Sequence, residues 1–278
     1  MVGTSAGRSE MPQGNAQTVA SDRTELSARR AADVPVGATP LREKLIAGGR
    51  AVRRAFTETP LRYAARDATL IRLGERDAPI ILIRSGFAFR SCVLSDGRRA
   101  IVDILVPGDI AGLDHLIWAN PIEEIVAANR VAYHALDPSS VRALLNDGTV
   151  ALRLVALFAE ARWRSDRLAA VLCRLDAQAR IAALVLSIHD RLRRRGLTEN
   201  LTFNLPLTQE QMADHLGLTL VHVNRTLRRM REEQLLKVER QVVMILDLDG
   251  LRELVRGLPQ PAEMPEPIMP LDRPPLAD

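Results

Sequence analysis

Apolar and polar positions change period several times along this chain, and each change marks an expected element. Between Ala68 and Leu136 the apolar residues come in short runs: 69–73, 80–84, 87–94, 100–106, 124–128 and 131–136. Turn sequences separate the runs, among them Arg76-Asp77-Ala78-Pro79, Ser85-Gly86, Ser95-Asp96-Gly97 and Pro107-Gly108-Asp109. Many short strands with a turn every few residues predict an antiparallel roll or barrel. Ahead of them, 41–56 carries a helical period that Gly48-Gly49 is expected to interrupt.

Past the roll the period lengthens. A short helix is expected over 138–146, ended by Asp147-Gly148, and a long one over 149–175, about 40 Å at 1.5 Å per residue. Within the long helix Val150, Leu154, Leu157, Ala161, Arg164, Leu168, Val171 and Leu175 alternate steps of four and three. That is a heptad stripe broken once, at Arg164. A stripe of this length predicts the parallel seam of a homodimer, with Leu154, Leu157, Ala161, Leu168 and Val171 as its apolar contacts. Packing against the chain's own domain is the alternative. Glu160 and Arg162 precede Arg164 and Asp166 by four residues, so two intrahelical ion pairs are available. A further helix over 176–195 ends in five consecutive positions bearing four arginines, Arg191 to Arg195, where cations complement the helix C-terminus; Gly196 stops it.

The densest pattern lies between Leu207 and Leu246. Thr208 is a natural N-cap and Gln211 completes a capping box; Met212, Ala213 and Leu216 give a short helix its apolar stripe. Gly217 supplies a turn, and Thr219 caps a second helix in which Val223, Leu227 and Met230 face inward. Val221, His222, Arg225, Arg228 and Arg229 then face outward, with Asn224 to one side. Two helices joined by a glycine turn, the second basic on its outer face, predict a helix-turn-helix with its recognition helix. The runs 235–239 and 241–246 follow as two strands of a wing. A plain helical hairpin with a solvated basic face would not require this ordered set of caps, turn and wing.

Those residues carry a family resemblance. Thr208-Gln209-Glu210, Ala213 with Leu216-Gly217, and Thr219 through Leu227 resemble the C-terminal DNA-binding domain of the Crp/Fnr superfamily of bacterial transcription regulators. Upstream, Arg84-Ser85-Gly86-Phe87, the stretch Leu94 to Arg99 and Leu105-Val106-Pro107-Gly108-Asp109 resemble that family's cupin-like sensor domain. The resemblance implies an α+β chain: an N-terminal antiparallel β-roll, a long dimerisation helix and a C-terminal winged helix-turn-helix. The corresponding divisions are a tail over 1–36, a sensor over 37–148, the dimer helix over 149–175, the DNA-binding domain over 176–257 and a proline-dense tail over 258–278. Both tails read as disordered. The implied partners are double-stranded DNA with a palindromic operator, a second copy of the chain, and RNA polymerase.

Base readout is expected from Val221, His222, Asn224 and Arg225, with Arg225 as the guanine reader, because a bidentate arginine on O6 and N7 is the commonest specific contact. Thr208, Thr219, Arg228 and Arg229 are the expected phosphate contacts. The two positions nearest the start of the recognition helix, often polar in the family, are Leu220 and Val221 here, which puts the familiar half-site in doubt.

Composition narrows the rest. An apolar content of 47% with 26% charge is that of a globular chain, long enough for two separate cores. No apolar run reaches a membrane span and the N-terminus lacks a signal-peptide core, so a cytoplasmic protein without a membrane partner is expected. A pI near 9.6 fits a nucleic-acid partner, although the net charge of +4 is modest. Family members that bind cyclic nucleotides carry a Gly-Glu pair and an Arg-Ser or Arg-Thr. Here Ile110-Ala111-Gly112-Leu113-Asp114-His115 lacks the first, and Pro121 with Glu123 and Glu124 replaces the second. A cyclic phosphate needs a cationic fork, and carboxylates repel it. Cys92 and Cys173 are too few for a four-thiolate iron–sulfur cluster and read as inert thiols. His115 and His134 read as core or surface residues, and they lack the spacing of a cupin metal set, so neither cofactor, metal nor enzymatic activity is expected. The effector is not encoded in any recognisable motif.

Overall fold

The structure is a computed structural model that describes residues 38–258 except Ala119 and Glu199. Apart from Leu258, both expected tails fall outside the described residues, and residues 42–258 belong to one compact unit. Eight strands make the roll: β1 (Arg62–Ala64), β2 (Thr69–Ile71), β3 (Ile80–Ser85), β4 (Ala88–Val93), β5 (Arg99–Leu105), β6 (Ile110–Ala111), β7 (Glu124–Ala127) and β8 (Val131–Leu136). They form two four-stranded sheets, β1-β8-β3-β6 and β2-β7-β4-β5, with every pairing antiparallel. The α+β class and the roll are therefore present; β1 and β6, at three and two residues, were too short to carry a period.

The first four residues of β3 are all apolar because both faces of the strand are covered there. Ile81 and Ile83 point into the roll, while Ile80 and Leu82 join Val52, Phe56, Val150 and Leu154 on the outside. In β5 the register slips by one residue, so that Ser91 pairs with Ile101 and Arg90 with Asp103, leaving Val102 extra. A bulge resets the alternation of faces, and Ile101 and Ile104, three apart, both join the largest core cluster. That cluster runs from Phe87, Phe89 and Val106 of the roll through Ile181, Val185 and Ile188 to Leu216, Val223 and Met230. One core cluster is thus shared between the halves, beside two that belong to the roll and the helices packed on it.

The first helix, α1 (Ala38–Thr57), passes through Gly48-Gly49 without a break. Gly48 is a contact surface: a Cβ there would overlap the carbonyl of Thr149 at the start of the long helix, and its absence lets the two backbones meet. After α2 (Pro138–Leu144) comes α3 (Gly148–Arg174), capped by Asp147, whose Oδ1 accepts from the Thr149 amide at 2.8 Å. Then follows α4 (Ala177–Arg194), capped by Asp176.

Two of the expected dimer-seam contacts, Leu154 and Val171, are taken up by the chain's own core. Leu154 and Val171 are each only 2% exposed within the single chain, in the two clusters just described, and Leu157 and Leu175 pack against the same clusters. Ala161 and Leu168 are half-buried on the same side, and Arg164 forks onto Asp103 of β5, Nη2 to Oδ2 at 2.9 Å. The heptad stripe is how α3 packs on its own roll and head. On the opposite side of the helix lie Val155, Ala159, Arg162, Asp166, Ala169 and Cys173, all exposed. Of the two expected intrahelical pairs, Arg162 to Asp166 forms at 2.8 Å. Glu160 instead faces Arg153 at 3.7 Å, because Arg164 is turned to Asp103.

Candidate nucleic-acid interface

The C-terminal head contains β9 (Thr202–Asn204), α5 (Gln209–Leu216), α6 (Leu220–Glu232), β10 (Leu236–Glu239), β11 (Val242–Ile245) and α7 (Leu248–Leu254). Thr208 caps α5 in a complete capping box: its Oγ1 accepts from the Gln211 amide at 3.0 Å, and its own amide donates to Gln211 Oε1 at 2.9 Å. Gly217 ends α5 in the left-handed region, φ 59° and ψ 39°, and the chain turns at once into α6 under the cap of Thr219. Arg180 of α4 fixes this corner. Its guanidinium donates to the carbonyls of Leu172 (2.8 Å), Leu175 (2.9 Å) and Leu216 (2.9 Å), the C-terminal carbonyls of α3 and α5.

α6 buries Val223, Thr226, Leu227 and Met230, so its other face is turned out. Leu220, Val221, Asn224, Arg225, Arg228 and Arg229 are exposed, and His222 is half-buried. The polar groups on that face differ in their attachments. Arg228 and Arg229 each hold a carboxylate one turn on, Glu232 at 2.9 Å and Glu233 at 2.7 Å. Asn224 donates Nδ2 back to the Leu220 carbonyl at 3.1 Å. Arg225 has no hydrogen-bond or ion-pair partner among the described residues. The two threonine hydroxyls accept from amide groups at the helix starts, which leaves each O–H free to donate.

β10 and β11 pair as the wing, and β9 adds a third strand that its three residues had not revealed. Arg240 and Gln241 make the tip, both at positive φ (47° and 68°), as a two-residue turn of the type I′ kind requires. Arg240 is exposed there and was not singled out from the sequence; its place as the one residue between the two expected strands was the available signal.

The head is fastened to the roll by charge as well as by core. Asp109, beside the Pro107-Gly108 turn, accepts from the Val106 amide at 2.8 Å, from Arg195 at 2.6 Å and from Arg191. Arg195 also reaches the Pro107 carbonyl at 2.7 Å and Arg191 the Ile104 carbonyl at 2.8 Å. Burial is the largest influence on Asp109 and opposes its charge, yet Arg191, Arg195 and Arg164 together hold its carboxyl well below the usual carboxylate range. The cationic run at the end of α4 is therefore partly a structural clamp. Further along, Asp214 of α5 accepts from Arg99 at 2.7 Å, and His215 Nδ1 lies 3.0 Å from the Ile101 carbonyl. Burial lowers the proton affinity of His215, with that carbonyl acting against it.

A cavity of about 160 Å³ lies between the roll and α3. Three of its four arginines hold carboxylates, Arg90 with Glu123 at 2.8 Å, Arg164 with Asp103 and Arg195 with Asp109, while the fourth, Arg153, faces Glu160 at 3.7 Å with its Nε and Nη2 making no hydrogen bond. Glu123 stands in the wall, where its burial raises its carboxyl pKa. His115 Nδ1 lies 3.0 Å from the Ala78 carbonyl and His134 Nδ1 2.9 Å from that of Thr59. Among the described residues no three His, Cys, Asp or Glu side chains gather as a metal site, and no helix is long and apolar enough to cross a membrane. Cys92 is half-buried and Cys173 exposed, both free.

Comparison with known proteins places this geometry. A family model described as a Crp-like helix-turn-helix domain matches residues 166–254. The transcriptional regulatory protein btr of Bordetella pertussis is 27% identical over 192 residues, which cover 68% of this chain and 78% of that one. The transcriptional activator protein FnrA of Stutzerimonas stutzeri is 26% identical over 195 residues, with the same coverage of each. Among solved structures, FixK2 from Bradyrhizobium japonicum superposes with a TM-score of 0.64 at 24% identity, covering 70% of this chain and 96% of its own.

Proposed function

We propose that the chain is a DNA-binding transcription regulator of the Crp/Fnr type, supported by the Crp-like helix-turn-helix match and the regulators it resembles, and that it reads DNA as follows. The reader is a homodimer whose two α6 helices enter successive major grooves, about 34 Å apart, on a palindromic operator. Arg225 reads guanine, and Val221, His222 and Asn224 contact neighbouring base edges. Thr208, Thr219, Arg228 and Arg229 hold phosphates, the two arginines by exchanging their surface glutamates for the backbone. Arg240 of the wing adds a phosphate or minor-groove contact. The single observation that carries this reading is the state of Arg225: exposed, unpartnered, and on the face of a helix whose other face is core.

Residues 37–148 form the effector half, 149–175 the dimer helix and 176–257 the DNA-binding half. The dimer face is the exposed side of α3, beginning at Val155 (64% exposed) and Phe158 (40%). RNA polymerase in the cytoplasm is the further partner proposed, as the family resemblance of the sequence implies.

Arg225 and Arg228 carry the same charge, so Coulomb attraction alone would make their loss equivalent. Arg225→Ala is expected to cost about 1–3 kcal/mol on the operator and to relax one base pair per half-site, with little change on random DNA. Arg228→Ala is expected to weaken both DNAs alike and to lower the salt slope by about one for each phosphate it no longer neutralises. Titrating both variants on both DNAs at several salt concentrations decides it: equal losses for Arg225→Ala on the two DNAs would make it a phosphate clamp.

A further inference from the structure

The start of the recognition helix holds an apolar group where a reader of base edges would be expected to hydrogen-bond. Val221 is 75% exposed and Leu220 46%, although the inward stripe of α6 is complete without them. Neither is needed by the head's core. Val221 stands one helical turn before Arg225, so the two side chains lie on one face, and it is the N-terminal part of a recognition helix that approaches base edges. Valine has nothing to donate or accept. In the major groove the hydrogen-bonding pattern of every base is therefore invisible to it, and the apolar feature that remains is the C5-methyl of thymine. A β-branched side chain in a helix is also held in essentially one rotamer, so its methyls are fixed in place before DNA arrives. Asn224, the polar group beside it, is tied back to the Leu220 carbonyl and does not cover it.

We propose that Val221 is a thymine-methyl reader, which makes a thymine near the base read by Arg225 a fixed feature of each half-site. This rests on α6 entering the major groove of its operator. It assigns Val221 a chemistry distinct from that of Arg225: the valine distinguishes thymine from uracil, which differ only in the methyl, and the arginine does not.

The experiment uses the full-length protein, the operator selected from random DNA, and duplexes in which each thymine in turn is replaced by deoxyuridine in both half-sites. In the wild-type protein one such replacement is expected to weaken binding by about fourfold per half-site, the burial of one methyl-sized group, about 0.8 kcal/mol. In Val221→Ala that penalty should vanish, while in Arg225→Ala it should persist. Because Val221 is exposed, the alanine variant keeps its fold, which unchanged affinity for random DNA verifies. The inference is overturned if no deoxyuridine duplex binds more weakly than its parent, or if the penalty survives in Val221→Ala. If Val221→Ala and Arg225→Ala both select the same operator as wild type, the groove assignment of α6 itself has failed, which is a different result.

Discussion

Removing the Asp109 carboxylate should separate the two halves of the molecule more than any other single side-chain change. The group is buried and accepts from Val106, Arg191 and Arg195, and Arg191 and Arg195 are themselves nearly buried. Asp109→Ala leaves two guanidinium groups facing backbone carbonyls, with Asp103 as the next carboxylate acting on Arg191. Burial already pulls Arg191 down to about 10, so at neutral pH it stays charged and bears the loss. Breaking a buried pair from one side costs about 3–5 kcal/mol, a large part of the roughly 5–15 kcal/mol that holds a domain folded. Urea unfolding followed by circular dichroism should show a much lower midpoint. Because the core crosses from roll to head at this place, the single transition should also broaden or split. The nearby Arg99–Asp214 pair, about a quarter to a third exposed, is the control: Asp214→Ala should cost about 1 kcal/mol or less. Acid adds a second reading. The folded Asp109 has a depressed pKa, so its contribution is present above the unfolded value of about 4 and is lost as pH falls below it. Wild type should weaken over that window, and Asp109→Asn, which has no charge to lose, should weaken less. A loss under about 1 kcal/mol in Asp109→Ala, or coincident acid limbs for wild type and Asp109→Asn, would refute the clamp.

Two further outcomes test other parts of the reading. Val155→Glu with Phe158→Glu places four carboxylates in the proposed dimer face; sedimentation should report folded monomers with weakened operator binding, whereas Leu154→Glu, a charge in the chain's own core, should unfold the protein. A persistent dimer in the double variant would move the interface elsewhere. Calorimetry with millimolar cyclic AMP should show no heat, since Arg90, Arg164 and Arg195 around the roll's cavity already hold carboxylates, Arg153 faces Glu160, and Glu123 stands in the wall; saturable micromolar binding would contradict that.

What could be read ahead of the structure follows from how local each signal is. Thr208, Gln211, Gly217 and Thr219 act within four residues of themselves, and the caps and turn formed as their chemistry requires. The stripe on α3 was also real, but a heptad period says only that one side of a helix is covered. Leu154 and Val171 are covered by their own chain, and nothing in a three-four spacing names the partner. Gly48-Gly49 misled for a related reason: glycine weakens an isolated helix by roughly 1 kcal/mol, and a close neighbour such as Thr149 reverses that preference by needing the space. The Asp109 clamp, with its partners more than eighty residues away, left no local trace at all.

Arg180 gives the molecule a mechanical property. One planar group is bonded at three points to the ends of α3 and α5, and three points not in line leave a joint no axis to swivel on. α3, 27 residues long, then behaves as a lever about 40 Å in length, along which a tilt of about 5° carries its far end through roughly 3.5 Å. A tilt of that lever at the roll end would be passed through this joint to the end of α5 and the start of α6. Replacing the rigid fork by a lysine, with one ammonium on a flexible stem, would turn that lever into a loose hinge.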